Sequence, residues 1–447
     1  MMEYRNLRIA LLGAGSVGSQ VASLLLEHGD ELAARVGAGL ELVGVAVRDL
    51  DAPRDIEIPR HLLTTDAHSL ILGADIVVEL IGGLEPAREY LTLALTSGAD
   101  VITANKALLA THGPELFELA SQVGAQLYYE AAVGGAIPII RPLRDSLAGD
   151  RVHRILGIVN GTTNYILDRM DTEGSSLEEA LTTAQELGYA EADPTADVEG
   201  YDAAQKAAIL ASLAFHTTVP LDAVHREGIL GVTRDQVVAA KKAGFVVKLL
   251  AVCERLVDPE TGVEGVSARV HPALIPATHP LAAVHGANNA VFLEAEAAGS
   301  LMFYGAGAGG IQTASAVLGD VVSAARRHVI GGPGVAESTH ANLAVLPIAS
   351  VTTRYQITLE VLDRPGVLAE IATVFSTHEV SVEAVQQSVA TEPEHGQEAG
   401  EAAPAPTATL VIGTHEATEA ALADTVAALE ASEVVAEVTS VLRVEGL

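Results

Sequence analysis

The sequence LRIALLGAGSVG, at residues 7–18, decides the fold of this chain. The stretch before its first glycine is almost entirely apolar, which predicts a short strand buried on both faces. Glycines follow at positions 13, 15 and 18, and they lead into an amphipathic helix whose apolar stripe is formed by Val17, Val21, Leu24 and Leu25. A buried strand that turns through glycines directly into a helix is the start of a βαβ unit.

The same alternation continues towards residue 150. Further apolar strands are predicted at 41–47, 75–81, 100–103 and 125–130, with helical patterns between them. Strands that alternate with helices form a parallel sheet covered on both faces. Residues 1–150 are therefore predicted to form an α/β domain with a Rossmann-type, doubly wound parallel sheet, to which a segment at 305–330 returns.

The glycine pattern lies where a dinucleotide-binding turn has to lie, after the first strand and at the start of the first helix. The first glycine permits a tight turn, the second lets main-chain N–H groups approach a pyrophosphate, and the third lets helix and strand pack closely. A glycine turn with a purely structural role is the alternative. We predict a dinucleotide site formed by Gly13, Ala14, Gly15, Ser16, Val17 and Gly18.

The end of the second strand predicts the choice of cofactor. Arg48 stands there with Asp49 beside it. An arginine can pair with the 2′-phosphate of NADP, whereas an acid at this point favours the ribose hydroxyls of NAD. We predict NADP, with NAD possible as a second cofactor. Arg54 is a candidate second phosphate contact, with a surface-loop role as the alternative.

The segment GYAEADPTADVEGYDAAQK, at residues 188–206, places five acids ahead of a helical run. Asp202 and Lys206 are spaced i,i+4 and would share one helix face. An acid and an amine on one face, beside a loop of carboxylates, suit a small substrate with a cationic group and a transferable proton. The alternative is a solvated acidic turn with a surface ion pair worth roughly 0.3–0.5 kcal/mol.

Two further segments carry candidate site residues. Lys106 follows the strand at 100–103, and open α/β sheets bind their ligands at the carboxyl ends of their strands. It could contact nicotinamide, phosphate or substrate, or it could be a solvated lysine. The segment EAAVGGAIP, at 130–138, combines Glu130 with a glycine turn that exposes main-chain carbonyls. Such an oxygen-rich set suits a hard cation, although a plain tight turn is equally compatible.

Composition excludes several classes of function. The chain of 447 residues carries 58 acids against 26 bases, for a net charge of −32, so neither nucleic acid nor an anionic membrane is an expected partner. The single cysteine, Cys253, excludes an intrachain disulfide and lies in an apolar run where a buried thiol is expected. Without a signal-peptide pattern or a long apolar span, the chain is expected in the reducing cytoplasm.

The character of the sequence changes after residue 150. A second, α+β domain is predicted at 151–304, with strands at 154–159 and 263–270 and helices at 177–187 and 202–215. A linker is predicted at 331–354 and a small α/β module at 355–447, with strands at 355–362, 380–389, 407–413 and 434–444 and helices at 365–377 and 416–431. The insert at 391–406 is acidic and rich in Pro and Ala, which predicts disorder.

Taken together, the motifs resemble one family, the homoserine dehydrogenases. The matching stretches span about residues 7–330 in the family's order: GAGSVG (13–18), TANKA (103–107), EAAVGGAIP (130–138), NGTTNYIL (160–167), GYAEADPTADVEGYDAAQK (188–206) and FYGAGAGG (303–310) with ASAVLGD (314–320). The resemblance implies reversible NAD(P)-dependent hydride transfer between L-homoserine and L-aspartate 4-semialdehyde. This reaction serves the biosynthesis of threonine, methionine and isoleucine.

The resemblance also implies roles for individual residues. Lys106 and Lys206 would be catalytic and handle the proton at the C4 oxygen, with Asp202 beside the reacting group. Glu191 would hold the substrate ammonium, with Asp197 and Lys206 as further substrate contacts. Gly309 would approach the cofactor together with Lys106. A monovalent cation, Na⁺ or K⁺, would be held by Glu130, Val133, Gly135 and Ile137.

The C-terminal module is similar to an ACT domain, a ferredoxin-like fold that often binds amino acids. The similarity is carried by Asp363-Arg364-Pro365-Gly366, which opens the first predicted helix of the module, while Glu379 occupies a turn position where ACT domains usually carry glycine. It implies an amino-acid effector, with threonine expected. The family resemblance further implies a homodimer or homotetramer.

Two other functions remain open on the sequence. A different Rossmann dehydrogenase could act on another amino acid or hydroxy acid, although no histidine is placed by motif as the base that a 2-hydroxyacid enzyme needs. A sensor of nucleotides and amino acids without turnover is the alternative from another class. Homoserine-dependent formation of NADPH distinguishes both from the expected enzyme.

Overall fold

The computed structural model describes residues 5–54, 56–258, 261–331, 337–389 and 407–446. Its first sheet is parallel throughout and has the strand order β3-β2-β1-β4-β5-β6. The strands are β1 (Leu7–Leu12), β2 (Leu40–Ala46), β3 (Leu63–Thr64), β4 (Ile76–Glu79), β5 (Asp100–Thr103) and β6 (Leu127–Tyr128). The predicted doubly wound sheet is confirmed, and β3, with only two residues, is the strand that the pattern did not predict.

Helices connect these strands and cover both faces of the sheet. They are α1 (Ser16–Glu27), α2 (Gly29–Val36), α3 (Ala67–Leu72), α4 (Ala87–Thr96) and α5 (Lys106–Val123). The strand order reverses between β1 and β4, so the carboxyl ends of these two strands open a crevice in which ligands of such folds bind. The glycine turn after β1 and the N-terminus of α5 both lie at this edge.

The middle part of the chain forms a second, mostly antiparallel sheet with the order β12-β11-β7-β9-β10. Its strands are β7 (Val152–Ile158), β8 (His225–Arg226), β9 (Phe245–Val257), β10 (Glu264–Pro276), β11 (Asn288–Ala295) and β12 (Gly299–Ala306). Its helices are α6 (Gly161–Glu173), α7 (Leu177–Glu186), α8 (Thr195–Val198), α9 (Tyr201–Phe215) and α10 (Arg234–Lys242). Strand β9 contains Cys253, a buried free thiol whose pKa burial raises to about 12.

Helix α11 (Gly310–Ile330) returns to the first sheet. Its buried face joins the core that β1 and α1 form, through Ala314, Val317, Val321, Ala324 and Ala325. The chain therefore crosses from the second sheet back to the glycine turn, and this return brings the segment around Gly309 to the crevice.

The segment after α11 was predicted as a linker, but its described part is docked along the body of the protein. Glu337 accepts a hydrogen bond from the Tyr129 hydroxyl at 2.8 Å and pairs with Arg144. Strand β13 (Ala344–Val345) then pairs with β10. These contacts are all made with residues distant in sequence, and local periodicity therefore could not predict them.

The C-terminal module has the βαββαβ order of a ferredoxin-like fold, with an antiparallel sheet ordered β18-β14-β16-β15. Its elements are β14 (Thr352–Leu362), α12 (Val367–Thr377), β15 (Val382–Val389), β16 (Thr407–Thr414), the short β17 (Ala417–Thr418), α13 (Glu419–Glu430) and β18 (Val435–Val444). Glu379 has a φ of 59°, so this turn does require the left-handed backbone that glycine adopts most easily. The insert predicted as disordered lies outside the described residues.

Strand β18 also pairs in parallel with β10 of the middle domain, where Leu274 lies opposite Val444. The main-chain N–H of Glu445 continues this pairing by donating to the carbonyl of Leu274 at 2.9 Å. The sheets of the two parts are therefore continuous, and the C-terminal module is joined to the body by main-chain hydrogen bonds.

Candidate active site

The glycine turn has the geometry that a dinucleotide requires. Gly13 has a φ of 100°, and a Cβ at Gly18 would lie 2.2 Å from the carbonyl oxygen of Gly13, so only glycine permits this helix-to-strand contact. A Cβ at Gly15 would meet nothing within 4 Å, which leaves open space in front of the N-terminus of α1. In that space the oxygens of a pyrophosphate would accept hydrogen bonds from the free N–H groups of the helix.

The end of β2 carries an arginine that is available to a ligand. Arg48 is exposed and forms no hydrogen bond or ion pair with any residue that the structure describes. Arg54, the second candidate for a phosphate, instead donates to the main-chain carbonyls of Asp49 and Ala52, at 2.6 and 3.0 Å. Arg54 therefore braces the loop after β2, as the surface-loop alternative expected.

Buried polar contacts set the position of Lys106. Glu79, at the end of β4, accepts a hydrogen bond from the Thr103 hydroxyl at 2.6 Å. Asn105 caps α5 by accepting from the N–H of Leu108 at 3.1 Å, and its amide donates to the carbonyl of Gly83 at 2.6 Å. Lys106 is the first residue of α5. Its side chain consequently projects from a fixed helix terminus at the carboxyl edge of the sheet.

Asp202 is the centre of the candidate site. Its carboxylate lies 2.6 Å from the Nζ of Lys206, one turn later in α9, and 3.2 Å from the Nζ of Lys106. The Nζ of Lys206 also donates to the carbonyl of Val159 at 2.6 Å. Burial raises the pKa of the Asp202 carboxyl, but the two ammonium groups outweigh this effect and hold the pKa at about 2. The site therefore contains an ionised carboxylate between two amines.

Asn160 joins a second carboxylate to this cluster. Its Nδ2 donates to Asp197 at 2.6 Å and to Asp202 at 2.9 Å. Burial raises the pKa of Asp197, and the neighbouring Asp202 charge acts in the same direction. Asn160 belongs to the NGTTNYIL stretch but was given no role from the sequence. Its position directly before a helical run, where an N-cap is expected, was the available signal.

Glu191 lies outside this cluster. It is exposed in the loop between α7 and α8, where its main-chain carbonyl accepts from the Gln185 amide at 3.2 Å. Its carboxylate forms no hydrogen bond or ion pair within the described ranges of the chain. The structure thus brings Lys106, Lys206, Asp202 and Asp197 together and leaves Glu191 on the adjoining loop.

The segment at 130–138 differs from the sequence prediction in one respect. The Glu130 carboxylate is buried and accepts the main-chain N–H groups of Ile139 and Ile140 at 2.6 and 2.8 Å. Its other oxygen accepts the N–H and the Nε of Arg141 at 3.0 and 2.9 Å. With four donors its acceptor capacity is used, so this side chain is not free to bind a cation. Any cation here would have to be held by main-chain carbonyls.

Asp320, in α11, completes this buried network. It accepts from the N–H of Glu130 at 2.9 Å and lies 3.6 Å from the Nε of Arg141. Burial raises the pKa of Asp320 to about 7. The network ties α11 to the segment at 130–138 and was not predicted, because its members are separated by up to 190 residues.

Gly309 lies beside the dinucleotide turn. It has a φ of 129° and precedes α11, and a Cβ on the next residue, Gly310, would lie 2.9 Å from the carbonyl of Ser16. The glycine-rich segment therefore approaches α1 as closely as backbone can. This contact places Gly309 beside the glycine turn.

Among the described residues, no group of three or more His, Cys, Asp and Glu side chains is arranged to hold a metal ion. In the same part of the chain no helix combines the length and apolarity needed to cross a membrane.

A Rossmann-type sheet with an open glycine turn, facing a cluster of two lysines and two aspartates, defines an NAD(P)-dependent oxidoreductase. Three family models match the chain: "Homoserine dehydrogenase, NAD binding domain" at residues 13–130, "Homoserine dehydrogenase" at 138–322 and "ACT domain" at 355–433. The chain belongs to the homoserine dehydrogenase family and carries a C-terminal ACT domain.

Named relatives agree with this assignment. The homoserine dehydrogenase of Corynebacterium glutamicum is 52% identical over 439 residues, which cover 98% of this chain and 95% of the relative. That of Mycobacterium tuberculosis is 53% identical over 440 residues, which cover 98% and 97%. The crystal structure of a homoserine dehydrogenase from Thiobacillus denitrificans superposes with a TM-score of 0.88 at 36% identity and covers 99% of both chains.

A more distant structure bears on the cofactor. A hyperthermophilic archaeal homoserine dehydrogenase in complex with NADPH superposes with a TM-score of 0.60 at 27% identity, over 74% of this chain and 99% of that one. The chain is accordingly a homoserine dehydrogenase that uses a nicotinamide cofactor.

Proposed function

We propose that Lys106, Asp202 and Lys206 form the catalytic centre for hydride transfer between L-homoserine and L-aspartate 4-semialdehyde. The observation that supports this assignment is the contact of one buried carboxylate with both amines, at 2.6 and 3.2 Å. Because the three residues come from α5 and α9, the site is assembled only when the two domains meet. Such an arrangement can exchange a proton with an oxygen and stabilise the charge that develops on it.

In this proposal the cofactor transfers the hydride, and the residues of the chain bind the substrate and transfer the proton. Bound nicotinamide supplies the hydride acceptor or donor. During oxidation of homoserine a lysine amine would receive the proton of the C4 hydroxyl, and during reduction a lysine ammonium would return it to the same oxygen. Asp202 holds both amines in place and offsets their charge. The carboxylate of Glu191, exposed on the adjoining loop, would bind the substrate ammonium, with Asp197 as a second contact.

Replacement of Lys206 tests the assignment. Lys206→Ala removes the proton carrier and is expected to lower kcat for homoserine oxidation by about 10²–10⁴, the range of general acid–base catalysis. Lys242→Ala, on the exposed end of α10, is the matched control and should retain wild-type turnover. Near-normal kcat in Lys206→Ala would show that the catalytic centre has been misassigned.

We propose NADP as the preferred cofactor. Arg48 supports this choice, since it is exposed at the end of β2 and unpaired within the described residues. Arg48→Ala should reduce kcat/KM with NADP much more than with NAD, because only NADP carries the 2′-phosphate. An equal loss with both cofactors would contradict the proposal.

We propose a monovalent cation, Na⁺ or K⁺, held by the main-chain carbonyls of Glu130, Val133, Gly135 and Ile137. In support, the main-chain hydrogen bonds of the described residues leave the carbonyl oxygens of Val133, Gly135 and Ile137 without a main-chain donor. Activity and melting temperature should both rise when tetramethylammonium chloride is replaced by KCl or NaCl at constant ionic strength. Identical values in all three salts would contradict a bound cation.

We propose that threonine binds to the ACT domain and that its binding lowers the dehydrogenase activity. The turn at Asp363 leads to Gly366, whose φ of 99° opens α12 with an exposed N-terminus. On the opposite side of the module Arg443 pairs with Glu227 at 2.9 Å. Gly228 follows, and its Cα lies so close to the main chain of Val198 that a Cβ would come within 2.2 Å. A shift of the module could therefore reach α8 and Asp197.

Threonine sensitivity of point variants tests this regulation. Asp363→Ala should weaken inhibition by threonine without changing activity in its absence, and Asp424→Ala, exposed on α13, is the control. Wild-type enzyme that is indifferent to threonine would contradict threonine as the effector.

We also propose a homodimer or homotetramer. Strand β12 lies at the edge of the middle sheet, and its outer face exposes Met302 and Tyr304. Exposed apolar side chains on an edge strand favour pairing with another chain. A monomeric mass in light scattering at micromolar concentration would contradict this proposal.

A further inference from the structure

We propose that Asn160 is a positioning residue for the hydride-transfer reaction, whose amide holds Asp197 and Asp202 side by side in front of the catalytic lysines. The inference rests on the catalytic centre proposed above. It adds a residue that does not touch the substrate but determines the geometry and the charge of those that do.

The hydrogen-bonding capacity of Asn160 is fully used inside the protein. Its two N–H donors are given to Asp197 at 2.6 Å and to Asp202 at 2.9 Å. Its Oδ1 accepts from the N–H of Thr163 at 2.8 Å and from the Thr163 hydroxyl at 2.9 Å. An asparagine amide offers two donors and two lone pairs, so nothing remains for a substrate. The residue is therefore a bridge and not a ligand.

The bridge joins three separate segments. Asn160 is the N-cap of α6, Asp197 lies in α8 and Asp202 in the first turn of α9. Asn160 itself is buried. Because the N-cap fixes the oxygen of the amide, the nitrogen has one direction in which to point, and both aspartates are aligned by it.

The groups that face Asp197 make the bridge electrostatically important. They are the carboxylate of Asp202, the ammonium of Lys206, the amide of Asn160 and the hydroxyl of Thr162. Burial and Asp202 raise the pKa of Asp197, whereas the Asn160 donor lowers it. Loss of the donor should make Asp197 take up a proton at higher pH, and a neutral Asp197 would alter the charge that Asp202 and the lysines experience.

Two substitutions separate capping from bridging. Serine and aspartate are both good N-caps, so Asn160→Ser and Asn160→Asp preserve an acceptor for the N–H of Thr163. Neither can donate to two carboxylates. Serine only removes the bridge, and aspartate adds a third negative charge in its place. Ser176→Ala, which removes the N-cap of helix α7, is the control for loss of a helix cap alone.

The decisive measurement is the pH profile of kcat/KM for homoserine oxidation at saturating NADP. In Asn160→Ser we expect the acid limb to move to higher pH and kcat at neutral pH to fall about tenfold to a hundredfold, the size of a lost hydrogen bond to a charged group. KM for NADP should not change. Asn160→Asp should lose more activity than Asn160→Ser, because its carboxylate would lie beside those of Asp197 and Asp202.

An acid limb that coincides with wild type in both Asn160 variants would overturn the proposal, as would a uniform loss no larger than that of Ser176→Ala. Failure of the underlying site is distinguishable. If Lys206→Ala keeps its turnover, the catalytic centre itself is misassigned, whereas loss of turnover in Lys206→Ala with unchanged pH profiles at Asn160 contradicts only the bridge.

Discussion

At the scale of single residues, Asp202 has the most consequential position in the molecule. One carboxylate contacts Lys106, Lys206 and Asn160, and Lys206 itself is only 9% exposed. A buried ammonium that loses its counterion has no solvent to replace it. The two lysine amines therefore depend on this side chain for both position and charge.

We accordingly predict that Asp202→Asn lowers kcat/KM for homoserine by about 10²–10⁴. The amide keeps the shape of the side chain but no longer attracts either lysine. Asp193→Asn is the control, because Asp193 is exposed on the loop between α7 and α8 and accepts from the N–H of Thr195 at 3.1 Å. Equal activity of the two variants in steady-state assays would contradict the central role of Asp202.

At the scale of elements, the turn between β1 and α1 contains, within six residues, one glycine that packing requires and one that ligand binding requires. A Cβ at Gly18 would clash with the Gly13 carbonyl at 2.2 Å, whereas a Cβ at Gly15 would enter open space. The two glycines therefore serve different purposes. Gly18 is needed for the packing of α1 against β1. Gly15 is needed only when a pyrophosphate approaches the turn.

Gly18→Ala is expected to lower the free energy of unfolding by about 1–3 kcal/mol, because the backbone has to shift to admit the methyl group. Gly15→Ala should change stability much less but raise KM for NADP, since its methyl occupies the space of the ligand. Thermal melts and cofactor titrations of both variants test this. Equal melting temperatures for the two proteins would show that the contact at Gly18 is not restrictive.

At the scale of the whole molecule, a buried ion pair joins the ACT domain to the catalytic body. Glu445, just beyond β18, lies 3.1 Å from the guanidinium of Arg269 in β10, and both side chains are almost fully buried. Arg154 contacts the same carboxylate. Deletion of the module would take away one of the two carboxylates that pair with Arg269, the other being Glu254 at 2.6 Å, and would remove the strand that pairs with β10. Regulation is therefore better tested by point variants in the full chain.

We predict that Glu445→Gln lowers the free energy of unfolding by about 1.5–3 kcal/mol, the size of a lost hydrogen bond to a charged group, because Arg269 keeps only its second partner, Glu254. Glu383→Gln, which breaks the exposed pair with Arg354, should cost less than about 1 kcal/mol. Denaturant unfolding of both variants provides the comparison. A cost at Glu445 as small as that at Glu383 would show that the module is not held by this contact.

The same junction predicts a pH dependence. His271 is fully buried, and burial lowers its pKa well below the ordinary 6.5, assisted by Arg443 and Arg269 and opposed by Glu227. Glu445 lies 3.6 Å away. The native protein thus binds fewer protons than the unfolded chain below pH 6.5, so this histidine makes stability fall as pH decreases, by about 1.4 kcal/mol per pH unit.

His271→Gln should therefore flatten the loss of melting temperature between about pH 6.5 and 5.5, the window set by the ordinary histidine pKa. His61→Gln, at an exposed histidine, is the control and should follow the wild-type curve. Parallel curves for wild type and His271→Gln would mean that His271 does not contribute to the acid sensitivity.

Much of the fold follows from local sequence. An almost entirely apolar strand, a glycine turn and an amphipathic stripe are short-range patterns, and they correctly predicted β1, α1 and the parallel sheet. The i,i+4 spacing of Asp202 and Lys206 likewise places both on one helix face without reference to any other element. By contrast, β9 and β10 are buried along most of their length, so no alternation marked the full extent of these strands.

What the sequence by itself determined is a set of local units: the strands of the first sheet other than β3, its helices, the glycine turn between β1 and α1, and the helix that carries the acid and the amine. Tertiary structure alone decided how those units meet. Asp202 contacts Lys106, which lies 96 positions away in sequence, and Asn160, which lies 42 positions away. The carboxylate of Glu130 accepts hydrogen bonds from the N–H groups of residues 139–141. The reason is physical. The periodicity that predicts helices and strands is a property of neighbouring residues, whereas hydrogen bonds and ion pairs between distant segments depend on tertiary packing, which local periodicity does not reveal.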